Sequence, residues 1–364
     1  MEDAMKRFKV RLISATVVAI MTITGLAGCS LATLDGTQKV MTISEVEVPL
    51  GVASFALRYS QAQTDMYYKQ FAAMGLGVTV PKWEDVAEGE TKTNGERTKD
   101  DVMNRLQRLY EVKAHADDYG VSLDTAEMDK IAAAAQEFIA SNDSALLSRM
   151  GVDEKSIVEY LELETYFKKA FEPMVETKGI TVSDEEAKQS TVTYTFLSTN
   201  NLEAEAAEEA KAQIEGLLAE YKEQEDIANF DMNEFTTEKD AGYMTTTTSF
   251  GDDEEAGTGL DDAVKEAART LQDGEMYQEI IEGASGGGYF IVRMDKVNDP
   301  EATATKKDTI EREKKQEAFN EMSENWVEEA TITIDEKVWG KVKLTDKEAY
   351  VIKVEETTEV ELAE

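Results

Sequence analysis

Apolar and polar residues alternate in steps of two along Lys39-Val40-Met41-Thr42-Ile43-Ser44-Glu45-Val46-Glu47-Val48, which predicts a strand. From Pro49 the spacing changes to three and four. Phe55, Tyr59, Ala62, Met66 and Phe71 then fall on one side of a helix over 49–74. A Gly-, Thr- and Glu-rich loop follows over 75–96 and contains Trp83. Three more amphipathic helices are predicted. The first, over 99–119, presents Val102, Leu106, Leu109 and Tyr110, and the second, over 124–140, presents Met128, Ile131, Ala135 and Phe138. The third, over 153–171, presents Ile157, Leu161 and Phe167 and should stop before Pro173, because a proline pushes the residue before it out of the helical region.

The stretch 180–298 has a different rhythm. It opens with the strand-like run Val192-Thr193-Tyr194-Thr195-Phe196-Leu197, and a helix follows over 203–221 with Ala206, Ala210, Ile214, Leu217 and Tyr221 on one stripe. After a Gly-, Thr- and Asp-rich region comes a second helical run, 264–271, with Gly274 as its stop. The stretch closes with Gly286-Gly287-Gly288 feeding the strand Tyr289-Phe290-Ile291-Val292-Arg293-Met294. Strand, helix, loop, helix, strand describes a small α+β unit. Beyond it lie a helix over 305–328, with Ile310, Phe319, Met322 and Trp326, and an alternating strand over 330–335. Residues 355–364 are acidic and expected to fray.

The first residues read as a leader. Lys6, Arg7, Lys9 and Arg11 precede an apolar run from Leu12 to Leu26, too short to span a bilayer comfortably. It ends in Leu26-Ala27-Gly28-Cys29, which resembles a bacterial lipobox, and the sole cysteine of the chain stands at the position that would be lipidated. Lipidation of Cys29 would hold the chain, with residues 1–28 removed and 30–38 as a polar tether, on the extracytoplasmic face of the cell membrane.

Composition narrows the chemistry. Lys and Arg number 38 against 75 Asp and Glu, a net charge of −37 that excludes a general phosphate-backbone binder, so no nucleic-acid partner is expected. The acidity serves solubility and could attract cationic unfolded chains. His115 is the one histidine and is read as a helix-surface residue; with no second histidine and no free cysteine it can build neither a zinc site nor a serine triad. Asp252-Asp253-Glu254-Glu255 lacks the alternating ligands of a calcium loop, and the triple glycine precedes a strand rather than the helix of a phosphate loop. Neither a metal nor a cofactor is expected.

The landmarks of 180–298 resemble those of the parvulin family of peptidyl-prolyl isomerases. The helix-and-turn pattern F-x-x-A-x-x-x-L-x-x-G-E is similar to Val264…Ala267…Leu271…Gly274-Glu275, and the G-D-L-G-aromatic turn to Asp240-Ala241-Gly242-Tyr243. The closing G-Y-H-I-I-K is similar to Gly288-Tyr289-Phe290-Ile291-Val292-Arg293, and the opening H-I-L to Thr195-Phe196-Leu197. Thr195 and Phe290 thus stand at the positions of the two family histidines. The resemblance implies a proline pocket at Leu260 and Val264, with Tyr243 beside the substrate, and places Asp231 near the family's Cys/Asp position. Leu260 and Val264 are spaced to share one helical face. Prolyl isomerisation crosses a barrier of ~18–20 kcal/mol by twisting and desolvating the amide, with no covalent step. With Phe290 unable to hydrogen-bond, the resemblance implies a site degenerate in catalysis.

Over 39–344 the chain resembles the PrsA/SurA-type foldases. The fold this implies is α+β: a helical chaperone-like lobe from 39–179, an inserted parvulin-like domain at 180–298, a returning helix and strand at 299–344 that complete the lobe, and an acidic tail over 345–364. The implied function is a membrane-anchored folding factor that binds unfolded, newly secreted polypeptides. A helical lobe in a chain with 15 Met and 13 Tyr can present an adaptable apolar surface, with Phe55, Tyr59, Met66, Tyr67, Tyr68 and Phe71 as candidates. Two other readings stand beside it: an active isomerase with a non-histidine site, and a surface lipoprotein that binds a small solute or a cell-wall component.

Overall fold

The computed structural model describes residues 22–25, 33–75, 82–239, 242–251, 259–284, 286–346 and 350–353. It divides into two compact units, Met1–Lys178 with Ala318–Glu364, and Gly179–Glu317. Of the predicted leader only strand β1 (Thr22–Gly25) is described, and it pairs antiparallel with residues 350–353. Cys29 and the acidic run 355–364 lie outside the described residues.

In the first unit the alternating run over 39–48 is a hairpin rather than one strand. Strand β2 (Lys39–Ile43) turns at Ser44, whose φ is +51°, into β3 (Val46–Pro49). Pro49 ends the sheet and opens helix α1 (Leu50–Ala73), which suits its fixed φ and missing N–H. Every residue from Leu50 to Arg58 is buried, whereas most of the last ten are not. Helix α2 (Asn94–Ala114) starts five residues before the periodicity predicts, because Thr93 and Glu96 form a capping box: the Thr93 hydroxyl accepts from the Glu96 N–H at 3.1 Å, and the Glu96 carboxylate accepts from the Thr93 N–H at 2.9 Å. Helices α3 (Thr125–Ser141) and α4 (Ser144–Met150) follow, each capped by an aspartate, Asp124 and Asp143.

Helix α5 (Glu154–Glu176) runs through Pro173 instead of ending before it. Met174 and Val175 are buried beside Ala170 and Phe319, so packing in the last turn outweighs the hydrogen bond that the proline removes. The unit's core joins Leu50, Phe55 and Leu57 of α1 to Leu106 and Leu109 of α2, Phe138 of α3 and Ile157 and Tyr160 of α5. Phe55 meets Phe138 edge-on at 5.2 Å and Tyr160 at 5.4 Å.

The second unit is a four-stranded antiparallel sheet with helices on both faces. In chain order it comprises β4 (Ser190–Ser198), α6 (Ala204–Lys222), α7 (Met232–Thr237), β5 (Met244–Phe250), α8 (Asp262–Ala268), β6 (Ile281–Glu282), β7 (Gly288–Lys296) and the first part of α9 (Pro300–Glu329). The strand order is β5-β4-β7-β6. Asp299 caps α9 through the N–H groups of Glu301 and Ala302, which starts the helix five residues before the predicted 305. Lys307 and Lys314 pair with Asp184 and Glu186, tying this end of α9 to the residues before β4. Helix α8 ends at Ala268, and Gly274 serves not as its stop but as a left-handed residue, φ +76°, in the following turn.

The remainder of α9, from Ala318, belongs to the first unit. There Phe319 is buried against Phe167, and Trp326 stacks on His115 at 4.2 Å. His115 is therefore packed on an aromatic ring rather than free on a helix surface; its Nδ1 also lies 3.1 Å from Asp118. Strand β8 (Ile332–Ile334) pairs with β2, giving the order β3-β2-β8, and the short helix α10 (Glu336–Trp339) follows. Strand β9 (Tyr350–Lys353), the partner of β1, lies where a tail is predicted. Among the described residues no helix is long and apolar enough to cross a membrane.

Candidate functional site

Strand side chains alternate between faces, so the register of β4 against β7 decides which site residues can meet. Thr195 pairs with Ile291 and Phe196 with Phe290. Thr195, Leu197 and Ile291 therefore point toward α6 and α7, into a core with Ile214, Leu217, Tyr221 and Met232. Val192, Tyr194 and Phe290 point the other way, into a core with Leu260, Val264 and Ala268 of the α8 segment. Thr195 and Phe290, the two positions that the resemblance aligns with the family histidines, occupy opposite faces of the sheet.

The Thr195 face holds a buried chain of hydroxyls. The Thr195 hydroxyl lies 2.9 Å from the Tyr221 hydroxyl and 2.9 Å from that of Thr245, which in turn lies 2.8 Å from that of Thr236. Thr195 and Tyr221 are fully buried. Burial pushes the Tyr221 phenol above its ordinary range, although its hydrogen bonds with Thr195 and Thr245 pull the other way. The same face carries two more cross-strand pairs, Thr193 with Thr247 at 2.7 Å and Thr191 with Ser249 at 2.8 Å. Their hydroxyls also donate to Asp295 (2.6 Å) and Asp299 (2.8 Å). Asp295 in turn accepts from the Arg293 guanidinium at 2.7 Å.

Asp231 is exposed, and its carboxylate caps α7 by accepting the N–H groups of Asn233 and Glu234 at 3.0 and 2.9 Å. Tyr243 follows Gly242, which is in the left-handed region at φ +75°, while Asp240 and Ala241 of the same predicted turn lie outside the described residues. Its hydroxyl donates to the Gln213 carbonyl at 3.3 Å, on the α6 side. Leu260 and Val264 do share a cluster with Phe290, but both are buried, Val264 completely. A proline ring cannot touch them in this arrangement, so they are core residues rather than an open pocket. The six predicted positions thus split into two sets of three, one on each side of the sheet.

The Phe290 face nevertheless offers a surface. Tyr194, Phe196 and Phe290 are each half-buried, with ring centroids 4.6 Å apart for Phe196 and Phe290 and 5.8 Å for Tyr194 and Phe290. Met244, paired with Phe196, is 58% exposed beside them. Gly288 lets this platform form: a Cβ there would lie 2.5 Å from the Phe196 ring and 2.3 Å from the Leu197 carbonyl. Asp261 fixes its border, capping α8 through the Ala263 N–H (2.9 Å) while accepting the Ala284 N–H (3.0 Å) from the turn before β7. Tyr194 and Phe196 were not singled out from the sequence. The alternation Thr191-x-Thr193-x-Thr195 was the signal, since it assigns the even positions to the opposite face.

In the first unit the six proposed binding residues also separate. Phe55 is core, and Tyr59 is half-buried against it at 6.4 Å. Met66 (38% exposed) and Tyr67 (57%) stand out on the second half of α1, and Met74 (66%) at its C-cap, with Phe71 packed on Tyr67 at 4.5 Å and Tyr68 edge-on to Tyr67 at 5.6 Å. Nearer the core, a cavity of about 420 Å³ is lined by Tyr59, Gln63, Arg105, Tyr160, Glu164 and Lys168. Arg105 holds Glu164 through two hydrogen bonds, 3.0 and 2.7 Å, and the Tyr160 hydroxyl donates to the same carboxylate at 2.8 Å. Among the described residues no group of three or more His, Cys, Asp or Glu is placed to hold a metal ion.

No family model matches the chain, and neither does any curated relative. Solved structures do. The foldase protein PrsA from Lactococcus lactis is 17% identical, with 83% of this chain and 96% of that one covered and a TM-score of 0.32. The peptidylprolyl isomerase PrsA from Bacillus cereus is 17% identical over 67% of this chain and 89% of that one, at 0.28, and that from Bacillus anthracis 16% identical over 62% and 96%, at 0.25. At such scores the functional reading rests on the residues themselves.

Proposed function

We propose that the chain is an extracytoplasmic folding factor that binds unfolded, newly secreted polypeptides. Its parvulin-like unit acts as a binding platform and not as an efficient isomerase. The observation that carries this reading is the second half of α1 and the residue that caps it, where Met66, Tyr67 and Met74 project into solvent beyond a first half that is buried. Large exposed apolar side chains gathered on one helical segment mark an interaction surface, and methionine with aromatics adapts to clients of varied sequence. Anchoring through a lipidated Cys29 belongs to the same proposal and rests on Leu26-Ala27-Gly28-Cys29. The platform of Tyr194, Phe196 and Phe290 supports apolar binding, and the separation of Thr195 from Phe290 weighs against a shared catalytic cluster.

The test is an aggregation-suppression assay with a reduced, unfolded client, run beside a protease-coupled prolyl isomerisation assay. Suppression that weakens in the pair of variants Tyr67→Ser and Met74→Ser, with no acceleration of the cis-to-trans step, is expected. Acceleration of that step would move the active-isomerase reading to the front. Inactivity in both assays would leave the solute-binding reading, for which the cavity at Arg105 and Glu164 is the place to look.

A further inference from the structure

The three-stranded and the four-stranded sheet treat their edges differently. In the first unit, edge strand β3 carries Glu47 and ends in Pro49, and edge strand β8 has three residues. In the second unit β6 has two residues. Strand β5 is the exception: Met244-Thr245-Thr246-Thr247-Thr248-Ser249-Phe250 is a seven-residue edge with no charge, no proline and no bulge against β4. Among the described residues its backbone bonds only to β4. An edge of this kind presents a row of unpaired N–H and C=O groups, which proteins ordinarily blunt with lysine, proline or a bulge.

We infer that the β5 edge binds an extended, uncharged polypeptide segment rich in β-branched and aromatic residues, which joins the sheet as a fifth strand. This rests on the proposed function and gives it a binding mode. The backbone row selects for extended polypeptide over any small molecule, because only a strand satisfies alternate donors and acceptors along seven residues. The side chains select its composition. Ile281, Phe290, Phe196 and Met244 are paired in succession, one on each strand, so an apolar row crosses the whole sheet and ends at the open edge on a methionine that is 58% exposed. An apolar or aromatic client side chain opposite Met244 extends that row. β-branched residues opposite Thr246 and Thr248 match the next two positions.

The strand is also fixed before any client arrives. On its other face Thr245, Thr247 and Ser249 are hydrogen-bonded to Thr195, Thr193 and Thr191. These three pairs hold the register of β5 from the inner side alone, so little ordering remains for the incoming strand to impose.

The experiment uses the full chain and two labelled nine-residue peptides of alternating valine and threonine with a central phenylalanine. One peptide is unmodified; the other is N-methylated at every internal residue, which removes the backbone donors from both edges and keeps the side chains. Binding is read by anisotropy and backbone protection by hydrogen exchange. The unmodified peptide is expected to slow exchange at 244–250, and N-methylation or Thr246→Pro to weaken binding by about tenfold or more. Met244→Lys, tolerated on an exposed edge, should weaken it as well. Equal binding of the two peptides overturns the inference, as does protection at β5 that grows with protein concentration without peptide, since a second copy would then be the occupant. Binding that leaves β5 unprotected but is lost in Tyr67→Ser overturns the edge and keeps the folding-factor reading. No binding of either peptide, with no suppression of client aggregation, removes both.

Discussion

Thr195 and Phe290 leave opposite faces of one ladder, because Thr195 pairs with Ile291 while Phe290 pairs with Phe196. No ligand of ordinary size can touch both. Any isomerase activity gained by restoring imidazoles therefore needs the second histidine on the Phe290 face, as in Phe196→His together with Phe290→His, whose positions are paired across β4 and β7. Thr195→His with Phe290→His should gain none. Rates of cis-to-trans conversion in the two double variants test the register directly.

Removing the Thr195 hydroxyl should affect folding and not binding. Thr195→Val leaves Tyr221 and Thr245 each short of a buried partner, which costs about 1–3 kcal/mol. The urea midpoint should fall accordingly while peptide affinity stays within error. A loss of affinity at unchanged stability would place Thr195 in a binding site after all.

The exposed half of α1 should behave in the opposite way. Tyr67→Ser and Met74→Ser alter side chains that lie largely in solvent, so stability is expected to stay within about 0.5 kcal/mol. Aggregation suppression should drop. Thermal denaturation and light scattering on the same preparations separate the two effects.

Asp299 joins β4 to α9 by accepting from the Thr191 hydroxyl at 2.8 Å while capping the helix. Burial works to raise its carboxyl, yet the Thr191 hydroxyl and the N–H groups of Ala302 and Glu301 hold it below its ordinary 3.8. A depressed carboxyl stabilises the folded state above the unfolded value, and this contribution fades as pH falls below 3.8 toward the folded value. Asp299→Ala should cost about 0.5–2 kcal/mol at neutral pH. Denaturant titrations at neutral and acidic pH should show that cost shrinking with acidification.

Asp65 has the reverse sign. Burial pushes its carboxyl above 3.8, against the pull of Lys69 and Gln61. The folded chain then binds this proton more tightly than the unfolded one, so the cost of the charged form is absent below 3.8 and complete above the raised value. Asp65→Asn is expected to raise the denaturation midpoint at neutral pH and leave it unchanged near about pH 3. A midpoint that falls at neutral pH would falsify this assignment.

The helices were legible because their apolar stripes are long: Phe55 and Ala62, or Ile214, Leu217 and Tyr221, are buried where the 3.6-residue period puts them. Starts were less legible, since Thr93–Glu96 and Asp299 act ahead of the first apolar residue. Strand β5 was invisible to apolar periodicity for a physical reason. Its positions on the Thr195 face are Thr245, Thr247 and Ser249, which meet β4 with hydroxyls where most strands use Val or Ile, and so the segment passed for a polar loop. The site suffered from the same gap. Two short motifs fixed which residues to compare, but only the register assigned their faces, and one position of offset separates Thr195 from Phe196.

The sheet of the first unit carries a kinetic consequence. Its central strand β2 is made early, but its partner β8 lies near the other end of the chain, and the Lys341 ammonium reaches the Gln38 side chain across 303 positions. Closing a loop of that length must precede the contact that rewards it, so the ladder cannot zip from a local nucleus. Until residues 332–334 arrive, the β2 edge is open and Val40, Met41 and Ile43 lack part of their cover. A chain proposed to guard other polypeptides during their slow steps thus passes through a slow, exposed step of its own.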